Sequence, residues 1–398
     1  MVSDRHRDGG CGARRVFVTG LGPFTALGAG TGDFASAFWE AYREGHALCG
    51  EKTSVPSRRI PEFDLDDFVE TTRPYLDRHS KCALASGAMA LSPREHPDEE
   101  AGGDRRGVTT GTVFGNMASM KTFQEMVYEK GARLASPVLF PHCYANTTNS
   151  LLSIEFGLRG YNQNFCGDFL AGAAAVESGF RAVRDGKVDL VLSGGGDVLP
   201  ADLRRSVLGQ ASGNRRSPAE GMCLFGLGNE DVYPASNREA GCELCTVVSE
   251  GTGLVAPPEE ESMVAQLAGR IRDTIDRAVE QAGMWEGDIG AVLTCPPPEP
   301  ETGVEQAADE VLERFGELPV IPPLRATGHT FAAAFPLQCV AGLLVLLRGT
   351  LPSVPELTDV REGVEMWFEQ EEPELLGEAA LVVGYSYREV TVAILKGI

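Results

Sequence analysis

The chain has 398 residues, with 57 Asp or Glu against 35 Lys or Arg, a formal charge of −22 and 43% hydrophobic residues. That length carries two packed domains or one doubled fold, and 47 glycines with 24 prolines stay below the roughly 25–30% share that marks low complexity. So large an acidic excess opposes binding to phosphate backbones and anionic lipid. It argues against nucleic-acid and peripheral-membrane roles, and it sends any acidic partner to a local basic patch.

The opening residues, MVSDRHRDGGCGARR, are polar and lack the apolar stretch of a secretory signal, so a tail over 1–13 and a cytoplasmic location are expected. The longest apolar run, Phe331 to Leu347, is interrupted by Pro336 and Gln338 and falls short of a span of about 20 residues; it reads as a buried core helix and not a membrane span. Ten scattered cysteines read as free thiols. Cys242 and Cys245 have no second pair or nearby His, and on a strand residues three apart face opposite sides, so no metal site and no cofactor are expected.

In chain order, Arg15 to Gly20 reads as a short strand ending in a glycine-rich turn. A helix follows, with Phe34, Ala37, Phe38 and Ala41 at helical spacing, closed by Gly45. Residues 50–75 read as a surface excursion, Ser80 to Leu91 as a helix, 93–104 as a connection and Gly107 to Thr112 as an inner strand. Asn162 to Cys166 suits a strand, Gly167 and Asp168 a tight turn, and Phe169 to Arg184 a helix burying Leu170, Ala173, Val176, Phe180 and Val183. Val188 to Gly196 is a buried strand. Strand, sharp turn, helix, strand is how α/β enzymes present a nucleophile at a helix N-terminus.

Pro257 to Glu261 is the expected division between halves, 14–256 and 257–398. Beyond it come a helix with Val264, Leu267, Ile271, Ile275 and Val279 ending near Gly283, a strand from Ile289 to Thr294, and a stiff loop from Pro296 to Pro300. The long apolar helix after His329 and strands Ala380–Val383 and Val390–Leu395 complete a second α/β series. Two such series suggest a duplicated architecture, without a visible sequence repeat.

The blocks RRVFVTGLGPFTALG, RPYLDRHSKCALASGAMAL, SPVLFPHCYANTTNSLLSIEFGLRG, VDLVLSGGGD and TGHTFAAAFPLQCVAGLLVLLRGTLP lie in that order along almost the whole chain. In them the sequence resembles the β-ketoacyl-carrier-protein synthases, the condensing enzymes of fatty acid and polyketide assembly. The resemblance implies an α/β thiolase-like fold, two pseudo-duplicated halves in a five-layered α-β-α-β-α arrangement.

In such synthases a Cys on the turn before the helix carries the acyl chain, and two His drive decarboxylation of a malonyl unit and stabilise the oxyanion. Aligned between Gly157 to Gly160 and Ala171–Gly172, the residue at the nucleophile position is Phe169, which has no nucleophilic atom. The first His motif corresponds to Thr294-Cys295-Pro296-Pro297, so its His becomes Cys295 beside rigid proline. The second His is retained as His329, the Lys before it corresponds to Leu324, and the late glycine-rich loop reads Gly384 to Glu389, with Tyr385 and Tyr387 expected to narrow it. Phe169, Tyr385 and Tyr387 are thus the expected cavity or gate residues, and no intact catalytic set remains.

Members of this family without the Cys are second subunits of heterodimeric type II polyketide synthases, the chain-length or chain-initiation factors. They often carry Gln where this chain has Phe169, a departure that favours a more distant branch. The resemblance therefore implies a subunit without independent activity that heterodimerises with an active ketosynthase and shapes its acyl cavity. Asn146, Thr147 and Asn149 fall in the segment that resembles the dimer-forming region, and turn capping on a surface loop is the plainer reading of the same residues. A chain at −22 repels an acidic acyl carrier protein, which would then dock on the partner; Arg181, Arg184, Arg204, Arg205, Arg215 and Arg216 are the candidates for a local patch. The alternative is an enzyme using a Cys295/His329 dyad, or Cys166, for acyl transfer, decarboxylation or hydrolysis. His329 also has a plainer reading, as a histidine held by backbone hydrogen bonds.

Overall fold

The structure is a computed structural model describing residues 13–43, 58–71, 73, 75–91, 103–209, 216–233, 241–316, 318, 320–321, 327–351 and 374–398. Gly45, Arg215, Leu324 and nearly all of the 1–13 tail lie outside the described residues.

The first α/β series runs through β1 (Phe17–Thr25), β2 (Gly28–Ala29), α1 (Gly30–Arg43), α2 (Arg78–Ala90), β3 (Arg106–Thr112), α3 (Met117–Lys130), α4 (Thr147–Glu155), β4 (Asn162–Cys166), α5 (Ala171–Arg184), β5 (Leu190–Asp197), α6 (Ala201–Gly209) and β6 (Gly221–Gly228). The second runs through β7 (Cys242–Gly251), α7 (Glu261–Ala282), β8 (Ile289–Cys295), α8 (Thr302–Leu312), β9 (Val320–Ile321), α9 (Ala334–Arg348), β10 (Ala379–Tyr385) and β11 (Glu389–Gly397). The strands follow the order β4-β3-β5-β6-β1-β7-β11-β10-β8-β9, with β2 as a hairpin on β1.

This order contains the same pattern twice. β3 lies parallel to both β4 and β5, while β5–β6 and β6–β1 are antiparallel. β8 lies parallel to both β9 and β10, while β10–β11 and β11–β7 are antiparallel. The architecture is duplicated although the sequence is not. The two halves join in one eleven-stranded sheet through a short junction of β1 with β7, where Phe17 and Val18 pair with Glu243 and Cys242 and the Leu244 N–H donates to the Val16 carbonyl at 2.9 Å. By topology the second repeat starts at β7, ahead of the Pro257 to Glu261 stretch that the composition suggests as the division.

α5 and α9 fill the layer between the sheets, where Ala173, Val176, Phe180 and Val183 of one pack in a common core with Leu337, Val340, Ala341 and Leu344 of the other. α2 and α4 cover the outer face of the first sheet through Leu84, Leu151 and Leu152. α7 and α8 cover the second through Leu267, Ile271, Ile275, Val304 and Val311. The arrangement has five layers. The apolar segment after His329 is the centre of this packing, its window Phe331–Arg348 being 78% buried. On β7, Cys242 belongs to the central core and Cys245 to the outer one, on opposite faces as strand alternation requires.

β1 is longer than its sequence suggests. The run Gly20 to Thr25 continues the strand, pairing with Gly221 to Gly226, where a glycine-rich turn was expected. Its glycines serve close packing instead: a Cβ at Gly20 or Gly22 would sit 2.2 Å from the Ala90 carbonyl oxygen or 2.0 Å from that of Ser86, so α2 rests directly on the strand backbone.

Candidate functional site

α5 begins at Ala171 with Leu170 as its N-cap, which leaves Phe169 on the turn before the helix. Asp168 builds that turn: its carboxylate accepts the Leu170 N–H at 2.9 Å and its carbonyl accepts the Ala171 N–H at 3.0 Å. Phe169 is only 5% exposed and lies edge-on to the imidazole of His329, the ring centroids 5.4 Å apart at 72°. His329 meets Phe331 in the same way at 5.5 Å, and Phe331 meets Phe114 at 5.1 Å. An aromatic chain therefore runs from the helix tip across the imidazole to the end of β3.

His329 is fully buried. Its Nδ1 accepts the Phe331 N–H at 3.2 Å, so Nε2 carries the proton and donates to the Pro296 carbonyl at 3.2 Å. The main chain of His329 bridges to Ser217 and Ala219 at 2.8 and 2.9 Å. Both ring nitrogens are thus held by backbone groups.

Cys295 ends β8 one residue before Pro296 and is fully buried. Burial pushes its thiol well up, followed by the neighbouring Cys339, with Arg216 acting in the opposite sense. The proline loop is fixed from outside: Arg216 donates to the Pro297 carbonyl at 2.7 Å, its own N–H reaches the Pro298 carbonyl at 3.3 Å, and its guanidinium pairs with Glu305.

Asp197, at the end of β5, has a role that the sequence reading did not assign. Fully buried, it accepts Thr112 Oγ1 at 2.7 Å, the Val113 and Phe114 N–H groups at 3.0 and 2.8 Å, and the Ala332 N–H at 3.1 Å. The last bond holds the turn that follows His329. In that turn Phe331 sits at φ +52°, a left-handed conformation costing a bulky side chain about 1–2 kcal/mol. The bonds to Phe331 and Ala332 on either side keep it there. The available signal was an acid ending an otherwise apolar strand, a buried charge that needs donors.

Phe169 and His329 therefore meet directly, and Cys295 is tied to them through the carbonyl of the next residue, Pro296, whereas Tyr385 and Tyr387 pack in a different cluster. Along β10 the alternating residues Ala380 and Val382 face the central layer and Leu381, Val383 and Tyr385 the outer one, so Gly384, not Tyr385, meets Leu170 and Phe335. Tyr385 is buried in the outer cluster, where burial pushes its phenol up, Arg216 acts in the opposite sense, and Asp309, Glu305 and Cys295 add to the rise. Tyr387 packs on the same cluster, its hydroxyl accepting from Arg388 Nε at 2.8 Å. Asn146 is exposed ahead of α4. Thr147 and Asn149 on that helix are buried, bonded to the Pro141 carbonyl at 2.6 Å and to Thr110 Oγ1 at 3.0 Å.

Four of the six arginines that could form a basic patch are paired with carboxylates. Arg181 pairs with Glu177, Arg184 with Asp185, Arg205 with Asp202 and Arg216 with Glu305. One face of the chain is instead apolar and open: Met117, Met120, Tyr128, Leu134, Phe140, Tyr144 and Ile154 are all exposed across α3, α4 and their connection. Beside them β4 ends the sheet, exposing Asn162, Gln163 and Cys166 and, among the described residues, pairing with β3 alone.

The duplicated mixed sheet with paired central helices is the thiolase-like ketosynthase fold. A family model described as "Beta-ketoacyl synthase, N-terminal domain" matches residues 13–223, and the chain belongs to the β-ketoacyl synthase family. It is 26% identical over 262 residues to 3-oxoacyl-[acyl-carrier-protein] synthase 2 of Synechocystis sp., a match covering 64% of this chain and 59% of that protein. It is 24% identical over 385 residues to the Vibrio harveyi protein of the same name, covering 89% of this chain and 91% of that one. Among solved structures, "The ishigamide ketosynthase/chain length factor" superposes with a TM-score of 0.75 at 17% identity, over 97% of this chain and 100% of that one.

Proposed function

We propose that this chain is a ketosynthase-like subunit without condensing activity of its own, of the chain-length-factor type. In this reading it pairs with an active ketosynthase in a type II polyketide or fatty-acid-like pathway and helps shape the cavity that the growing chain occupies. The observation that carries it is Phe169, buried at the tip of α5 and stacked edge-on against His329. A phenyl ring fills the place where the resemblance puts a sulfur, and it cannot form a thioester.

Three further features support the reading. His329 spends both nitrogens on backbone groups, so the imidazole is committed to holding the turn. The exposed apolar residues of α3, α4 and their connection, beside the open edge of β4, offer a surface of the kind that a partner subunit covers. Arg181, Arg184, Arg205 and Arg216 are each paired with a carboxylate, which favours delivery of an acidic carrier protein through the partner. Against the Cys295/His329 alternative stand the fully buried, raised thiol and the engaged imidazole.

The test is co-expression with an intact ketosynthase encoded beside this chain. The expected result is a 1:1 complex in which an acyl thioester labels the partner's cysteine and leaves this chain unlabelled, and which Phe140→Glu with Tyr144→Glu disrupts by at least about tenfold in affinity. Acyl label on Cys295 or Cys166, or a homodimer that does not exchange with the ketosynthase, would overturn it.

A further inference from the structure

We infer that a small tetrahedral oxyanion, with the charge and size of inorganic phosphate, binds in a cavity of about 130 Å³ on the outer side of the first repeat. Three helices start at this cavity. α2 contributes Arg78 and His79 of its first turn, α3 contributes Ala118 with Gly115 just ahead of it, and α6 contributes Ala201 with Pro200 before it. A helix N-terminus carries partial positive charge and unbonded N–H groups, and here three of them converge on one space in a chain of net charge −22.

The caps of two of these helices differ. Asp77 caps α2 through the Ser80 N–H at 2.9 Å. The α3 cap residue, Asn116, makes no capping bond; its amide donates to Ser80 Oγ and Asp77 Oδ1 at 2.8 and 3.2 Å, and its carbonyl accepts from Thr148. The start of α3 is therefore unanswered by its own cap. Asp77 is the acid on the cavity wall, and its oxygens are already taken by Ser80, Asn116 and Ser119.

A second observation points to a ligand. His79 is 3% exposed, lines the cavity, and among the described residues its Nδ1 has no hydrogen-bond partner. A buried ring nitrogen left unpaired is costly, and an anion accepting from Nδ1–H removes that cost. Arg204, on α6, lines the same cavity, and among the described residues its side chain has no carboxylate partner. Arg59 and Arg78, also on the wall, share Glu62 and Glu220. The donors thus come from several directions, which suits a tetrahedral ion better than a planar carboxylate. At roughly 30 Å³ per water, the space holds such an ion with a little water beside it.

The inference stands apart from the proposed pairing and is tested on the chain alone. Calorimetric titration at fixed ionic strength with sodium phosphate, sodium acetate and sodium chloride should show saturable binding for phosphate only. Arg204→Ala should weaken it about tenfold or more, His79→Phe should do likewise, and His79→Asn, which keeps a donor near the Nδ1 position, should retain most of it. Circular dichroism confirms that each variant is folded, and Arg204→Ala, on a half-exposed position, keeps the test decisive if the buried His79 variants are not. No saturable phosphate binding below about 10 mM, acetate binding equally well, or unchanged affinity in Arg204→Ala would overturn the assignment.

Discussion

The Asp197 carboxylate, on the last residue of β5, accepts the N–H of Ala332 at 3.1 Å and so ties the first repeat to the turn that carries His329. The same carboxylate holds the main chain after β3 through Val113 and Phe114. One buried acid thereby fixes both walls of the aromatic chain that runs from Phe169 to Phe114.

Asp197→Ala is expected to destabilise the chain by about 3 kcal/mol or more, because it leaves buried donors on Thr112 and Ala332 and part-buried donors on Val113 and Phe114 without an acceptor. Asp197→Asn keeps one acceptor oxygen and should cost less. Urea unfolding followed by circular dichroism measures both, and a loss below about 1 kcal/mol for the alanine variant would show that the carboxylate does not hold the turn.

Phe169→Ala should cost about 3–4 kcal/mol, the usual penalty for emptying an aromatic core position. Phe169→Cys restores a thiol yet should yield no condensation product from acyl and malonyl thioesters. Cys295 still stands where the resemblance places an imidazole, and His329 remains bonded to Phe331 and Pro296. Product formation in that variant would contradict the silent reading.

Glu389 gives the stability a pH dependence. Burial raises its carboxyl to about 7, with Asp168 and Glu177 adding repulsion. An acid raised in the folded state stabilises while it is protonated, so its contribution is whole below about 4.5 and is lost as pH rises through about 7. Going from about pH 8 to about 5.5 should recover on the order of 1 kcal/mol from this group, discounted for its partial exposure. Glu389→Gln should flatten that part of the profile in thermal melts, and an identical slope in the variant would remove Glu389 as its source.

Among the described cysteines, Cys166 is exposed, Cys245 is half-buried and the rest are buried. Iodoacetamide under native conditions should therefore modify Cys166 first and leave Cys295 untouched until denaturant is added, as peptide mapping would show. Early modification of Cys295 would revive the dyad alternative.

Much of the fold was readable in the sequence because its periodicities are strong. β4 matches the expected strand from Asn162 to Cys166, and α7 buries Val264, Leu267, Ile271 and Ile275 as their spacing demands. What was misread shares one cause. The glycines of β1 look like a turn locally, and only the approach of α2 explains them. Tyr385 reads locally as part of a glycine-rich loop, whereas it ends β10, and pairing with β8 and β11 sets its ring in the outer cluster. Asp197 needed partners from three separate segments before its role was visible. The approach of Phe169 to His329 has no signal in spacing, which does not bring together positions so far apart in the chain; the family resemblance is what singles them out.

Gly172, in the first turn of α5, has no side chain, and a Cβ there would lie 1.9 Å from the Ala332 carbonyl oxygen. Main chain rests on main chain at this crossing, with no compliant layer of side chains between the repeats. Neither repeat can loosen there by rotamer adjustment while the other stays intact. Heating should therefore produce one melting transition, with both repeats lost together.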